Sequence, residues 1–317
     1  MAEHRVWATP HPNWVDFPAN LPPNTRRVPM TRERLPIQPQ PGLDSEEFTI
    51  PARDEYPIRV RSYKRSNATN LPLLIYLHGG GFVTGGLETD DETCRAIAAD
   101  IPILVLNVEY RLAPEHQFPV GFEDSRDVAY WAASPIGQQQ LSTDLNKGFI
   151  LGGTSAGANF TAGIAHLAVQ DKLPSKLTGL LFLAGSFCHP DVRPEKYRDR
   201  ILSVDEINDA PGLTRKSIDY FAKKYGAPPS DKRLSPLLFE SHAYIALRAA
   251  FYICGWDPRR DEALLFNELL QDEGILTRKY VYKGLPHGFW TTCPDLEESR
   301  EWKRDLLEGL RFVLAQQ

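Results

Sequence analysis

The sequence predicts an α/β fold in which a mainly parallel sheet is flanked by helices. Two runs, LPLLIYLHGG and IPILVLNVEY, are short and continuously apolar, as strands buried on both faces of a parallel sheet usually are. Further strand-like runs alternate with helix-like segments along most of the chain. This alternation indicates a doubly wound sheet.

The individual elements follow from periodicity. EEFTIP and YPIRVRSYK alternate apolar and polar residues, which is typical of half-buried strands. Further strands are predicted at KGFILGG, LTGLLFLAG, LRAAFYICG and TRKYVYKG. Helices are predicted at TDDETCRAIAADI, FEDSRDVAYWAAS, GANFTAGIAHLAVQ, RDEALLFNELLQDEG and LEESREWKRDLLEGLRFVLAQ. In the first of these helices we expect Thr89 and Glu92 to form a capping box.

Two segments depart from this alternation. Residues 1–44 are dense in proline, which excludes a regular core element there. They also carry large apolar side chains, so we expect an arm that packs over the protein: Trp7, Trp14, Phe17 and Leu21. Residues 189–235 are charged and rich in proline, with one helical piece at TRKSIDYFAKKYG. We therefore predict a core of residues 45–188 and 236–317, with an insertion above the sheet.

Composition narrows the functional class. A chain of 317 residues that is 42% hydrophobic suits one large core, alone or with an appendage. The formal net charge of −5 argues against nucleic-acid binding, and no apolar run approaches the roughly 18 residues of a membrane span. The N-terminus lacks the apolar region of a secretory signal, and the four cysteines lack CxxC spacing. We expect a cytoplasmic protein with reduced cysteines and no metal site.

A glycine-flanked serine is the first candidate for chemistry. ILGGTSAGANF places Gly153 and Gly157 two residues to either side of Ser155, between a predicted strand and a predicted helix. Gly-x-Ser-x-Gly at such a junction is the nucleophile elbow, whose tight turn exposes the serine hydroxyl. The alternative is a glycine-rich connection that happens to contain serine. The position between strand and helix favours the elbow.

A second glycine-rich stretch follows an earlier buried strand. LHGGGF, residues 77–82, exposes successive backbone N–H groups that can bind an oxyanion during acyl transfer. A phosphate-binding loop is the alternative, but the sequence has neither GxGxxG nor GxxxxGK[ST] here. His78, just before the glycines, is expected to hold the loop by hydrogen bonds.

An activated serine needs a base and an acid that orients the base. In this arrangement the chain order is serine, acid, histidine. WDPRRDE offers Asp257 and Asp261 after one predicted strand, and LPHGFW offers His287 after the next. Asp257 follows its strand directly, whereas Asp261 falls within the next helix and is expected to charge its first turn. We therefore predict Ser155, Asp257 and His287 as a catalytic triad.

The motifs HGGGF, EYRLAPEHQFP, GTSAGAN, DPRRDEA and HGF together resemble the hormone-sensitive-lipase-like branch of the α/β-hydrolases, also called bacterial family IV esterases. The resemblance implies an α/β-hydrolase fold with an eight-stranded sheet. It implies an oxyanion hole made by the N–H groups of Gly80, Gly81 and Ala156. It also implies a cap formed by residues 1–44 and 189–235. Two residues depart from the pattern: many relatives have aspartate in place of Thr154 and leucine in place of Arg259.

The resemblance implies a carboxylesterase that forms an acyl-enzyme on short- to medium-chain esters and needs no cofactor. A deacetylase or lactone hydrolase for one metabolite is an alternative. A non-catalytic ligand-binding homologue is less favoured because His287 and the oxyanion glycines are present. A protease or amidase on this scaffold is a further, less favoured alternative. Relatives often form homodimers, and this chain could do the same. Six aromatic residues are candidates for an apolar substrate pocket: Phe82, Phe187, Phe221, Tyr225, Phe289 and Trp290.

Overall fold

The structure is a computed structural model that describes residues 2–15, 32 and 34–315. Within this part of the chain eight strands form one sheet in the order β1-β2-β4-β3-β5-β6-β7-β8. The strands are β1 Leu43–Pro51, β2 Pro57–Arg65, β3 Leu73–Leu77, β4 Leu104–Glu109, β5 Phe149–Thr154, β6 Gly179–Leu183, β7 Arg248–Trp256 and β8 Leu276–Pro286. Each predicted strand is present.

The sheet is parallel from β4 to β8, and β2 runs antiparallel to both of its neighbours. Since β3, β5, β7 and β8 all run in one direction, their carboxyl ends meet at one edge of the sheet. The loops that follow these four strands carry the oxyanion glycines, Ser155, Asp257 and His287. The topology therefore gathers the predicted chemical groups at the edge where ligands bind in such sheets.

Helices cover both faces of the sheet. They are α1 Ala2–Arg5, α2 Asp91–Asp100, α3 Val120–Ala133, α4 Pro135–Leu141, α5 Ala156–Gln170, α6 Ser203–Glu206, α7 Arg215–Tyr225, α8 Arg260–Asp272, α9 Phe289–Thr292 and α10 Glu297–Leu314. One core cluster packs α3, α5 and α8 against the sheet, and a second packs α2 and α10 against the other face. The predicted helices are confirmed, and the structure adds four short ones, α1, α4, α6 and α9.

The predicted capping box at the start of α2 is wrong. The helix begins at Asp91, so Asp90 rather than Thr89 occupies the cap position, and it makes no side-chain capping bond. The Thr89 hydroxyl instead accepts a hydrogen bond from the Gly86 N–H at 3.0 Å. Thr89 therefore stabilises the loop before the helix.

The arm and the insertion both lie near the catalytic edge. The His11 N–H donates to the Gly284 carbonyl at 3.0 Å, and the Asn13 amide donates to Glu298 at 2.7 Å. These contacts hold the arm on β8 and α10, with Trp14 buried. Phe17 and Leu21, also expected in the arm, lie outside the described residues. The insertion contains α6 and α7. Helix α7 covers residues 77–82, the predicted oxyanion loop.

All four cysteines are buried, and no disulfide joins any two of them in the part of the chain that the structure describes. No helix in the described ranges is long and apolar enough to cross a membrane.

Candidate active site

Ser155 occupies a strained turn between β5 and α5. Its backbone has φ 53° and ψ −108°, a conformation that non-glycine residues rarely adopt. A Cβ on Gly153 would lie 2.2 Å from the Leu77 carbonyl oxygen, and a Cβ on Gly157 would lie 1.9 Å from it. Both glycines are therefore required because β3 passes directly beside the turn.

His287 and Asp257 complete a hydrogen-bonded chain with Ser155. The His287 Nε2 lies 2.8 Å from the Ser155 Oγ, and its Nδ1 lies 2.7 Å from the Asp257 Oδ2. The second Asp257 oxygen accepts the Arg259 N–H at 2.8 Å. Because a carboxylate can only accept, the neutral imidazole carries its proton on Nδ1 and leaves Nε2 free to accept the serine proton.

Asp261 does not belong to this chain. Its Oδ2 accepts the N–H groups of Leu202 and Ser203 at 3.0 and 2.8 Å, and its Oδ1 accepts from Arg260. Asp261 lies in the first turn of α8 as expected, where it also ties the insertion to the core.

The oxyanion loop presents backbone N–H groups beside Ser155. Gly80 and Gly81 have φ of +125° and +59°, and a Cβ on Gly80 would lie 2.0 Å from the Thr84 carbonyl oxygen. Ala156 is the first residue of α5, where a helix leaves its N–H groups unpaired. Among the described residues we find no acceptor for the N–H of Gly80, Gly81 or Ala156.

His78 supports this loop from below. Its ring is fully buried, stacks on Tyr110 with centroids 4.1 Å apart, and its Nδ1 lies 2.7 Å from the Gly79 carbonyl oxygen. The Tyr110 hydroxyl donates to the His78 carbonyl at 2.8 Å. Burial lowers the pKa of His78 to about 4, so the ring is neutral at pH 7 and donates to Gly79. These contacts agree with the structural role expected for His78.

Asp90 is a second support that the sequence did not reveal. Its carboxyl is buried and accepts the Gly79 N–H at 3.3 Å. Burial raises the pKa of Asp90 to about 6, although hydrogen bonds from Gly79, Tyr76 and Thr154 act in the opposite direction. Thr154 Oγ1 lies 2.8 Å from the Tyr76 hydroxyl. Thr154 thus belongs to a buried polar cluster together with Tyr76 and the Asp90 carboxyl.

A cleft of about 50 Å³, partly open to solvent, lies in front of Ser155. Three of the six predicted pocket residues line it, namely Phe82, Phe221 and Tyr225. The other lining residues are Gly81, Ser155, Ala156, Ser186, Cys188, His189, Leu213, Ile218, Ala222, Leu234 and Arg259. The cleft is mostly apolar, with polar groups collected near Ser186, His189 and Arg259.

Phe187, Phe289 and Trp290 do not line the cleft, which corrects their predicted placement. Phe187 is fully buried in the core, with its ring centroid 4.4 Å from that of Phe266. Phe289 and Trp290 belong to the core cluster on the opposite face, where Trp290 stacks on Trp302 at 4.5 Å. Proximity to His287 in the chain was misleading, because α9 turns these rings onto α10.

The missed lining residues on α7 carried a signal. Ile218, Phe221, Ala222 and Tyr225 are spaced i, i+3, i+4 and i+7, which marks one face of a helix. The Tyr225 ring stacks on Phe82 with centroids 4.1 Å apart, so this face packs on the oxyanion loop. Its spacing would have identified Ile218 and Ala222 together with the two aromatic residues.

Known proteins are similar to this chain in sequence and in fold. The family model described as an alpha/beta hydrolase fold matches residues 74–291. Versiconal hemiacetal acetate esterase from Dothistroma septosporum is 32% identical over 88% of this chain and 85% of its own length. Carboxylesterase NlhH from Mycobacterium tuberculosis is 32% identical over 87% of this chain and 84% of its own. The structure of vibralactone cyclase superposes with a TM-score of 0.86 at 29% identity, covering 98% of this chain and 96% of that one. The chain therefore belongs to the α/β-hydrolase family, in its hormone-sensitive-lipase-like branch.

Proposed function

We propose that this carboxylic-ester hydrolase acts through an acyl-enzyme on Ser155, with His287 as the base and Asp257 as the acid that orients it. The continuous chain of hydrogen bonds from Ser155 through His287 to Asp257, at 2.8 and 2.7 Å, carries the proposal. It is the geometry that a serine hydrolase needs for proton transfer.

In the first half-reaction, His287 Nε2 accepts the Ser155 proton while the serine oxygen attacks the ester carbonyl carbon. The carbonyl oxygen becomes an oxyanion that the N–H groups of Gly80, Gly81 and Ala156 stabilise, each by about 3 kcal/mol. The imidazolium then gives its proton to the leaving alcohol oxygen, and an acyl-enzyme remains. Water activated by the same histidine hydrolyses that intermediate and restores Ser155.

The cleft supports short- to medium-chain esters as substrates. The cleft is small, with a volume of about 50 Å³, so it suits a small ester better than a long-chain lipid. Leu213, Ile218 and Phe221 give its walls the apolar character that suits an acyl chain. Helix α7 closes over the oxyanion loop, which limits the length of chain that the cleft accepts.

A narrower role is the second candidate: removal of an acetyl group from one metabolite, or opening of a lactone. The similarity to versiconal hemiacetal acetate esterase and to vibralactone cyclase favours it. So does the polar end of the cleft, since a general esterase for simple alkyl esters gains nothing from Arg259 there.

Hydrolysis of p-nitrophenyl esters from acetate to palmitate, with Ser155→Ala in parallel, tests the proposal. We expect the rate to peak at short acyl chains and to fall by a factor on the order of 10⁴ or more in the variant. Unchanged activity in Ser155→Ala would refute the assignment of the nucleophile. A fluorophosphonate probe should label the wild type and not the variant. Labelling without turnover of these esters would favour the narrower role.

A further inference from the structure

One wall of the cleft carries a permanent positive charge. Arg259 is the only arginine or lysine among the described residues that line the cleft, and no aspartate or glutamate is among them. The triad acid Asp257 is buried behind His287. A substrate in the cleft therefore meets a cation whose carboxylate partner, Glu262, lies behind the wall and not in the cleft lining.

The Arg259 side chain is fixed in place from behind. Its Nη1 donates to the Cys188 carbonyl at 3.1 Å and to Glu262 Oε1 at 2.9 Å. Glu262 is itself buried, and its second oxygen accepts the N–H groups of Phe187 and Cys188 at 3.0 and 2.6 Å. One nitrogen of the guanidinium therefore anchors the group and holds its plane.

The rest of the guanidinium has no acceptor within the protein. For Nε and Nη2, which carry three N–H bonds, we find no partner in the part of the chain that the structure describes, and neither atom is enclosed. An arginine side chain has five N–H donors in a planar fork, so these unused donors can pair with both oxygens of a carboxylate.

His189 adds a donor at the same end of the cleft. Its Nδ1 accepts the Asp191 N–H at 3.2 Å. Burial lowers the pKa of His189, and the nearby Arg259 acts in the same direction while Asp191 opposes it. The ring is therefore neutral at pH 7, and its proton is on Nε2. Arginine and histidine together make this end of the cleft a set of donors.

We propose that Arg259, with His189, forms a subsite for an anionic oxygen, so that the preferred substrates are esters that also carry a carboxylate. The apolar walls formed by Phe82, Ile218 and Phe221 would hold the remainder of the molecule. This inference rests on the proposed ester hydrolysis at Ser155.

Matched pairs of esters test the subsite. 4-Acetoxybenzoate and its methyl ester share the scissile bond and differ in a charge on the alcohol side. Monoethyl adipate and ethyl hexanoate differ in a charge on the acyl side. In Arg259→Met, which keeps the apolar stem, we expect the ratio of kcat/KM for the anionic ester to that for its neutral partner to fall at least tenfold in one pair. The pair that responds identifies the side of the ester that faces Arg259.

Arg215→Met is the matched control, because Arg215 lies on α7 but outside the cleft lining. That variant should leave the ratio within about twofold if long-range attraction is screened by salt. Arg259→Lys should retain part of the preference, since lysine keeps the charge but loses the fork. An anionic-to-neutral ratio that is equal in wild type and Arg259→Met for both pairs would overturn the subsite and leave a purely structural arginine.

Calorimetric binding of 4-hydroxybenzoate and adipate separates this proposal from the catalytic one. We expect at least one of them to bind the wild type at least tenfold more tightly than Arg259→Met. Such binding without any ester turnover or fluorophosphonate labelling would refute hydrolysis at Ser155 and support the anion subsite. Turnover of neutral esters together with unselective or absent binding of both carboxylates would support hydrolysis and refute the subsite.

Discussion

The sheet edge that carries Ser155 and the insertion above it (residues 189–235), which we propose as the cap, are held by different kinds of contact. At the edge, backbone crowding determines which residue type fits: a Cβ on Gly157 would lie 1.9 Å from the Leu77 carbonyl oxygen. In the cap, side-chain packing determines which residues fit: Tyr225 stacks on Phe82 with ring centroids 4.1 Å apart, and Ile218 on the same helix is buried. The first kind of contact admits one residue type, whereas the second admits several of similar size.

This difference teaches how one fold can keep its chemistry while its substrates change. Substitutions at the edge should abolish activity or folding, because hydrogen-bond geometry and close backbone approach leave no room for adjustment. Substitutions in the cap should have graded effects on substrate binding. Substitutions at the edge and in the cap, compared with matched controls or with the wild type, test that division.

Asp257→Asn should have the largest effect, a fall in kcat of about 10⁴-fold. The Asp257 Oδ1 accepts the Arg259 N–H, so the asparagine oxygen would keep that bond and its amide would face His287. The His287 Nδ1 would then have to accept a hydrogen bond from this amide, so the imidazole proton would move to Nε2. A protonated Nε2 cannot accept the serine proton. Steady-state kinetics on p-nitrophenyl acetate measures the loss, and circular dichroism checks the fold.

Asp261→Asn is the control for this change, because it alters the other acid that follows β7. Asp261 binds backbone N–H groups of the insertion and does not contact His287. We expect a loss of kcat below about tenfold, with a lower thermal midpoint. Equal losses of kcat in the two variants would contradict the assignment of Asp257.

Gly157→Ala should lower kcat/KM by more than about 100-fold, because a misplaced nucleophile of even 1 Å costs that much. The new methyl group would push Ser155 and α5 away from β3. Gly86→Ala is the control: its Cβ would meet only the Glu88 carboxylate at 3.5 Å and that of Glu109 at 3.8 Å, at ordinary contact distance. If both alanine variants keep full activity, backbone crowding does not define the elbow.

The same division explains what the sequence could predict. Strands and helices could be predicted from local patterns of apolar and polar residues. The turn at Ser155 could be predicted as well, because both glycines that it requires lie within the same five residues. Asp257 and His287 were predicted from their position after strands and from chain order, and the structure places the His287 ring within hydrogen-bond distance of Asp257 and of Ser155. Asp90 could not be found, because its contact with Gly79 joins two segments through the fold. Phe187 and Trp290 were misplaced for the same reason, since only tertiary packing decides which face an aromatic ring joins.

Asp90→Asn should change the pH dependence of stability rather than the chemistry. The pKa of Asp90 is about 6 in the folded protein, above its usual value near 4, so the folded state binds more protons between these values. The wild type therefore loses stability as the pH rises through this window, by up to about 3 kcal/mol. The asparagine variant lacks this loss, so its stability relative to wild type should increase from pH 4 to pH 8.

Urea unfolding of both proteins at pH 4, 6 and 8 measures that difference, and titrations common to the two proteins cancel in it. The asparagine oxygen can still accept the Gly79 N–H, so the oxyanion loop should keep its conformation. A difference in unfolding free energy that is constant across this range would show that the Asp90 carboxyl does not titrate there.

Phe221→Ala should have the smallest effect, because it alters packing in the cap and leaves the edge intact. The Phe221 ring lies so close to Gly81 that a Cβ on that glycine would be 2.6 Å from it, and the ring also lines the cleft. Removing it would widen the acyl side of the cleft. We expect kcat/KM for p-nitrophenyl butyrate to fall about tenfold, mainly through KM. Burial of the ring contributes about 1.5–3 kcal/mol, and only part of this free energy comes from contact with the substrate, because the ring also packs on the oxyanion loop.

The chain-length profile gives the sharper result. If the ring limits the cleft, the optimum in Phe221→Ala should shift toward longer acyl chains, whereas Lys223→Ala, exposed on the same helix, should leave the profile unchanged. A fall in kcat as large as that of Gly157→Ala, with no shift in the optimum, would instead show that Phe221 holds Gly81 in its oxyanion-binding conformation. The cap would then take part in the chemistry, and the division between a fixed edge and an adjustable cap would fail at this contact.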